Sequence, residues 1–269
     1  MGLAAGSGVT FPNFSGKHTE VSTPLVTPQR FVRHLQQRGL LEGFAAPAGV
    51  ILLYQRPYAR GLLQREAHRP SPPFPEWLHV LDRTEGKVGV LAFFGIGGPA
   101  MSTVVETLAA LGTRQFLNLG AAGGLQPGDR VGDLVVCDAA VRDEGLSHHY
   151  LPPARYSRPS EELTRALANR LTEQGHTYKR GATWTIDAPF RETAEELRHY
   201  REEGVLTVEM EAAALFAIAQ HREFDAAAAF VLSDTLSDAE WTPDFGAPEI
   251  LTGLDILVQA AIEVIVGRA

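Results

Sequence analysis

From Gly49 to the end of the chain, short apolar runs alternate with longer amphipathic ones. Val50-Ile51-Leu52-Leu53-Tyr54, Val88–Phe94, Gln115–Leu119, Leu134–Cys137 and Ala227–Leu232 read as buried strands. Between them, Ala100–Leu111, Ser160–Gln174, Thr193–Glu203 and Glu211–His221 carry helical periodicity, with Ser160-Glu161-Glu162 as a start signal and Gly175 as a stop. The final segment, Ala247–Val266, places Ile250, Leu254, Leu257, Ala261, Ile262 and Ile265 at helical spacing. Strands separated by helices imply a largely parallel sheet in an α/β sandwich.

Residues 1–44 differ from this pattern and read as an N-terminal extension, with 45–269 as one domain. Met1–Gly16 is rich in Gly, Ser and Pro, the composition of a flexible start, whereas Pro28–Leu41 has a helical look. Arg65–Glu76, charged and proline-rich, reads as a loop. No internal repeat is evident.

Composition narrows the class. The 269 residues are 45% hydrophobic and 21% charged, the profile of a globular chain able to bury a core without staples. A net charge of −8 argues against a broad nucleic-acid footprint, though not against a small anion held by a few arginines. The single cysteine, Cys137, lies in an apolar run and reads as a buried thiol. No secretory signal is evident, and apolar runs such as Ala226–Leu232 are too short to span a bilayer, so a cytoplasmic enzyme without membrane or nucleic-acid partners is expected.

Glycine gathers at two strand ends, Gly95-Ile96-Gly97-Gly98-Pro99 and Gly120-Ala121-Ala122-Gly123-Gly124. In open α/β sheets ligands bind outside the carboxyl ends of strands, and glycine there lets the backbone approach them. The first cluster satisfies the permissive dinucleotide pattern, but the next strand, Gln115–Leu119, ends without the acid that should hold a ribose hydroxyl. In Val208-Glu209-Met210-Glu211-Ala212-Ala213 two carboxylates precede an alanine-rich helix inside an apolar stretch. They read equally well as helix-start acids and as acceptors for sugar hydroxyls. Ser233-Asp234 ends a buried strand; Asp234 there serves either as a helix cap or as a protonatable group oriented by Ser233.

Taken in order, Gly95–Pro99, Leu119–Leu125 with Val131–Val136, Val208–Ala212 and Ser233-Asp234 resemble the nucleoside phosphorylase superfamily, over roughly residues 49–266. That superfamily includes uridine phosphorylase, bacterial purine nucleoside phosphorylase and methylthioadenosine nucleosidase. Arg142-Asp143-Glu144-Gly145 and Thr185–Phe190 fall where relatives have related segments. The resemblance implies a three-layer α/β/α sandwich with a mixed, largely parallel central sheet. It also implies cleavage of the base–sugar bond of a nucleoside, no cofactor, and a homo-oligomer. By the same analogy Met210 packs on the ribose, Glu211 accepts its hydroxyls, and Glu209 supports them. Asp234 matches the acid that protonates or hydrogen-bonds N7 of a leaving purine, which tilts the expectation to purine substrates and purine salvage. Gly97, Gly123 and Ser233 border the substrate, and Phe190 and Trp184 are candidates to stack on the base or to pack in the core.

The departures concern the nucleophile. Asn118 and Ala121 stand where family phosphorylases carry an Arg and a Ser or Thr that hold phosphate. Arg56 and Arg60, in a changed early loop, are the candidates left to hold an anion there, with an ordinary surface position as the commoner reading of each. The expected reaction is therefore phosphorolysis, with inorganic phosphate as co-substrate, hydrolysis as the alternative, and a silent nucleoside-binding protein as a remote one. His18 is a candidate to reach a neighbouring subunit, and His148-His149 a metal pair without a matched third ligand; surface roles are the simpler reading of both, and no metal is expected.

Overall fold

The computed structural model describes residues 24–236 and 241–269; the flexible start expected over Met1–Gly16, and His18, lie outside them. The elements run α1 (Pro28–Gln37), β1 (Gly49–Leu53), α2 (Arg56–Arg65), β2 (His68–Pro70), β3 (Leu78–Leu81), β4 (Val88–Ala92), α3 (Gly98–Ala110), β5 (Gln115–Gly124) and β6 (Leu134–Asp143). They continue with β7 (Tyr156–Ser157), α4 (Glu161–Glu173), β8 (Lys179–Ile186), α5 (Ala194–Glu202), β9 (Thr207–Glu209), α6 (Ala212–Arg222), β10 (Asp225–Leu236), β11 (Trp241–Pro243) and α7 (Pro248–Arg268).

The five apolar runs all become strands, and they form the middle of one mixed sheet. Its centre is parallel, β4-β1-β5-β10, and the antiparallel hairpins β2–β3 and β3–β4 extend one edge. Alternation along each central strand feeds two layers of helices. Ile51, Leu53, Leu117, Leu119, Ala227, Ala229 and Val231 pack with α2, α4 and α7. Val50, Leu52, Phe116, Ala226, Ala228 and Phe230 pack with α3 and α6. The three-layer sandwich follows from this division.

Helix α7 is long enough to cross a bilayer, with 21 residues and a mean hydropathy of 1.9, unlike the shorter runs weighed above. Its apolar stripe, including Ile250, Leu254, Leu257, Ala261 and Ile265, is buried against the sheet, which accounts for its composition. Helix α1 lies against α3 with Val32 and Leu35 buried, so part of the stretch set apart as an extension is docked.

The sheet also closes on itself. β10 pairs with both β5 and β6, β6 with β8, and the three-residue β9 bridges β8 to β5. Strand β9 ends at Glu209 and α6 begins at Ala212, so closure of the ring brings the two acids to the carboxyl end of β5. The loop expected over Arg65–Glu76 is only partly irregular: α2 ends at Arg65, and His68–Pro70 forms an edge strand.

Candidate active site

A cleft of about 650 Å³ opens at the carboxyl ends of β1, β5 and β10, a volume suited to a small molecule. Tyr54 and Gln55 enter it from the end of β1, Asn118 and Gly120–Gly123 from β5, and Ser233, Asp234 and Leu236 from β10. Glu209, Met210 and Glu211 line it from the β9–α6 link, and Phe190 and Glu192 from the turn before α5.

The two neighbouring acids have different partners. Glu209 Oε1 accepts the Thr185 hydroxyl at 2.5 Å, and its Oε2 accepts the amides of Glu211 and Ala212, both at 2.8 Å. Thr185 lies opposite Glu209 in the β8–β9 ladder, and its Oγ1 accepts the Ala213 amide at 3.0 Å. Glu209 therefore caps the first turn of α6, the structural role open to such an acid. Glu211 does not cap its own helix. Its Oε1 accepts the Gly97 amide at 2.5 Å, which aims the carboxyl across the cleft towards the first glycine turn. Gly97 is held at a φ of 84°, a conformation that an L side chain strains to adopt. Burial pushes both carboxyls above the usual carboxylate range; repulsion by Glu209 adds to it for Glu211. Such a group gains from any donor that a ligand brings, and a pair of neighbouring hydroxyls is a fitting one.

At the other end, β10 carries a bulge between Leu232 and Asp234 where it runs beside β5. Bulges re-aim side chains at sites, and this one turns Ser233 and Asp234 into the cleft. Asp234 Oδ1 accepts the Ser233 hydroxyl at 2.6 Å and Oδ2 accepts the Trp241 indole N–H at 2.8 Å. Gly123 lies below it: an added Cβ would stand 2.6 Å from Leu236 and 3.2 Å from Asp234 Oδ2. Glu192, on the same wall, has its carboxyl pushed up to about 7 by burial and then by the charges of Asp234 and Glu196.

A third group is polar and unpaired. The hydroxyl of Tyr54, Oε1 of Gln55 and both amide atoms of Asn118 are buried without a partner among the described residues. Each unpaired buried polar group costs about 1–3 kcal/mol, so a ligand atom here would be well repaid in hydrogen bonds. No Lys, Arg or His is among the described residues lining the cleft. Arg56 and Arg60, expected as phosphate ligands, stand elsewhere. The segment is helical, α2 buries Tyr58, Ala59 and Leu62, and both arginines fall on its exposed face.

Of the two readings left open for Trp184, packing in the core is the one observed. It is fully buried, donates to Asp143 Oδ2 at 2.9 Å and packs on Tyr200 with ring centroids 4.6 Å apart, so it belongs to the core and not to the base. Phe190 does line the cleft, 97% exposed at its mouth. Arg142 and Glu144 are structural: Arg142 ties Ser147, Leu151 and Pro152, and Glu144 accepts the amides of Leu146 and Ser147. His148 Nε2 meets the Arg142 carbonyl at 3.2 Å, and Cys137 is buried in the core. Tyr54, Gln55, Thr185, Glu192 and Trp241 were not singled out in the sequence. Glu192 follows the Thr185–Phe190 segment by two residues, which was the nearest signal.

Comparison with known proteins agrees with this architecture. A uridine phosphorylase of Haemophilus influenzae is 34% identical over 157 residues, covering 53% of this chain and 61% of the relative. A guanosine phosphorylase of Halorubrum lacusprofundi is 31% identical over 134 residues, covering 50% and 56%. A DeoD-type purine nucleoside phosphorylase of Clostridium perfringens is 29% identical over 155 residues, covering 55% and 64%. The matched stretches thus span less than two thirds of these relatives' lengths. The crystal structure of purine nucleoside phosphorylase from Toxoplasma gondii in complex with immucillin-H shares the fold, with a TM-score of 0.72, 20% identity, and coverage of 83% of this chain and 92% of that one. The model of the phosphorylase superfamily matches residues 17–263, and the chain belongs to that superfamily.

Proposed function

We propose that the protein cleaves the N-glycosidic bond of a purine-type nucleoside by phosphorolysis, giving free base and ribose 1-phosphate. The observation that carries this reading is the opposition of two different carboxyl sites in one cleft: Glu211, pinned by the Gly97 amide, and Asp234, braced by Ser233 and Trp241. Glu211 accepts the ribose hydroxyls while Met210 packs on the sugar, and the base lies towards Asp234 and Phe190. As the bond breaks the sugar becomes cationic and the base anionic, so a carboxylate at the sugar end and a hydrogen-bond donor at the Asp234 end of the cleft each lower the barrier. The relatives named as phosphorylases support phosphate as the acceptor. With no Lys, Arg or His lining the cleft among the described residues, a homo-oligomer in which another copy completes the phosphate site fits this reading.

A second reading has its own observation. The unpaired Asn118 amide and Gln55 Oε1 suit a neutral nucleophile, so hydrolysis by water is the alternative. Incubation with inosine, guanosine, adenosine, uridine and methylthioadenosine, with and without phosphate, tests both. Base release that requires phosphate supports phosphorolysis; equal rates without it support the hydrolase; no release from any of them sinks both.

A further inference from the structure

We propose that Glu192 is the proton donor to the departing base, with Asp234 as its acceptor-side partner. This rests on the cleavage reading above and adds a residue that it does not use. Both residues line the same wall of the cleft. Their surroundings differ in kind. Each Asp234 oxygen is already engaged as an acceptor, by the Ser233 hydroxyl and the Trp241 indole. Among the described residues, no hydrogen bond or ion pair holds the Glu192 carboxyl. It stands between a turn at Pro189–Arg191 and Thr193, the N-cap of α5. The capping box there is completed by Glu196, whose Oε2 accepts the Thr193 amide at 3.0 Å, so the cap leaves the Glu192 side chain unused.

Two carboxyl groups share this wall, Glu192 and Asp234 of β10, and Glu196 of α5 is near enough to repel a charge on Glu192; the indole of Trp241 on β11 is neutral. No cation lines the cleft to offset them among the described residues. Half-burial beside two carboxylates favours the neutral acid of Glu192, which keeps an O–H available near neutrality. A carboxyl with a free O–H, facing a site where a base acquires negative charge, is a general acid.

The step balances as follows. The electron pair of the C1′–N9 bond passes to the purine as that bond breaks, and the nucleophile's oxygen forms the new bond to C1′. The Glu192 O–H bond breaks and N7–H forms, leaving a carboxylate and a neutral base. The proton shed by the attacking hydrogen phosphate or water returns to Glu192 through solvent.

The test compares inosine with 7-methylinosine, whose quaternary N7 leaves as a neutral base without a proton. In E192Q, kcat/KM for inosine is expected to fall about 10²-fold, and the ratio of inosine to 7-methylinosine to fall at least tenfold, the scale of one general acid. The inosine profile of the wild type is expected to show a descending alkaline limb, which should vanish in E192Q and return in E192D. Circular dichroism and a thermal melt confirm that each variant is folded. Equal losses on the two nucleosides overturn the proposal, as does a selective inosine loss in D234N but not in E192Q. A wild type that releases no base from either nucleoside defeats the underlying cleavage reading, and this inference with it.

Discussion

The Gly97 amide donates to Oε1 of Glu211 at 2.5 Å, joining two residues 114 positions apart. The bond couples the turn after β4 to the start of α6, and it fixes the direction of a carboxyl that burial would otherwise leave poorly solvated. The glycine turn is thus part of the machinery that orients the acid.

Gly97 has open space around its missing Cβ but a φ of 84°. An alanine there meets no neighbour and still strains the backbone, by about 1–3 kcal/mol, because a φ of 84° with a ψ of 159° is a conformation held almost only by glycine. Gly97→Ala is therefore expected to misplace the amide and lower kcat/KM by about tenfold, the size of a weakened charged hydrogen bond. Glu211→Gln, which keeps the shape and loses the charge, should cost about 10²-fold. Steady-state kinetics checks both, and a wild-type rate in either variant sinks the assignment of Glu211 to substrate.

Thr185 offers a separate test of the cap. Its hydroxyl serves Glu209 and the Ala213 amide at once, and both would be stranded in Thr185→Val, a change of similar shape. The expected loss of stability is about 1–3 kcal/mol, from buried groups left unpaired. Urea unfolding measures it, and an unchanged midpoint removes the argument that Glu209 is held as a structural acid.

Much of the frame was legible because the apolar runs are long and local. Strands at Val50, Val88, Gln115, Leu134 and Ala227 start close to where they were expected, and helix Ala194–Glu202 keeps its bounds, but β5 and β6 run on past Leu119 and Cys137 to Gly124 and Asp143. The acids at 209 and 211 were found as a pair, but their division was not, since it depends on Thr185 and Gly97, which are distant in sequence. Closure of the sheet was hidden because β9 has only three residues and pairs with strands far from it. Helix α2 was masked by its arginines, so Arg56 and Arg60 looked like ligands when the buried face belongs to Tyr58 and Leu62. Nothing local separated core from base for Trp184, and Glu192, just after a turn, and Trp241, in the short edge strand β11, carry no signal until folding sets them beside Asp234.

Trp241 is 57% exposed and so has little to do with the core, yet its indole N–H reaches Asp234 Oδ2. Trp241→Phe keeps an aromatic ring at the mouth and deletes that donor. Stability should stay within about 0.5 kcal/mol, as for surface changes, while kcat/KM for a purine nucleoside falls about tenfold. A thermal melt beside the kinetics separates the two, and unchanged kinetics would show that the brace is dispensable.

Stability should also depend on pH in a stated direction. The Glu192 carboxyl is raised from 4.5 to about 7 in the folded protein, and Glu209 and Glu211 are raised by burial too. A carboxyl with a raised folded value favours folding below its unfolded value and loses that contribution as pH rises through the folded one. The wild type should therefore melt at a lower temperature at about pH 8 than at about pH 5, and E192Q should show a smaller decline. A wild-type melt that rises over this interval, or a decline in E192Q as large as the wild type's, contradicts the assignment.

Asn118 decides what the unpaired wall is for. Its two amide atoms are buried without a partner among the described residues, in the same cleft as Gln55 and Tyr54, and they lie on β5, the strand whose glycines border the base end. If phosphate is the nucleophile, Asn118→Ala removes a hydrogen-bonding ligand to it. The KM for phosphate should then rise by about tenfold with the KM for nucleoside nearly constant, because a neutral hydrogen bond is worth about 1–1.5 kcal/mol. If water attacks, the same variant lowers kcat without phosphate and leaves no phosphate term to change. Two-substrate kinetics on wild type and N118A distinguishes these, and a variant that alters neither parameter shows that the nucleophile is bound elsewhere. Both outcomes bear on the same physical point: a buried amide left unpaired among the described residues is held in this fold only at a cost, and a bound nucleophile is what would offset it.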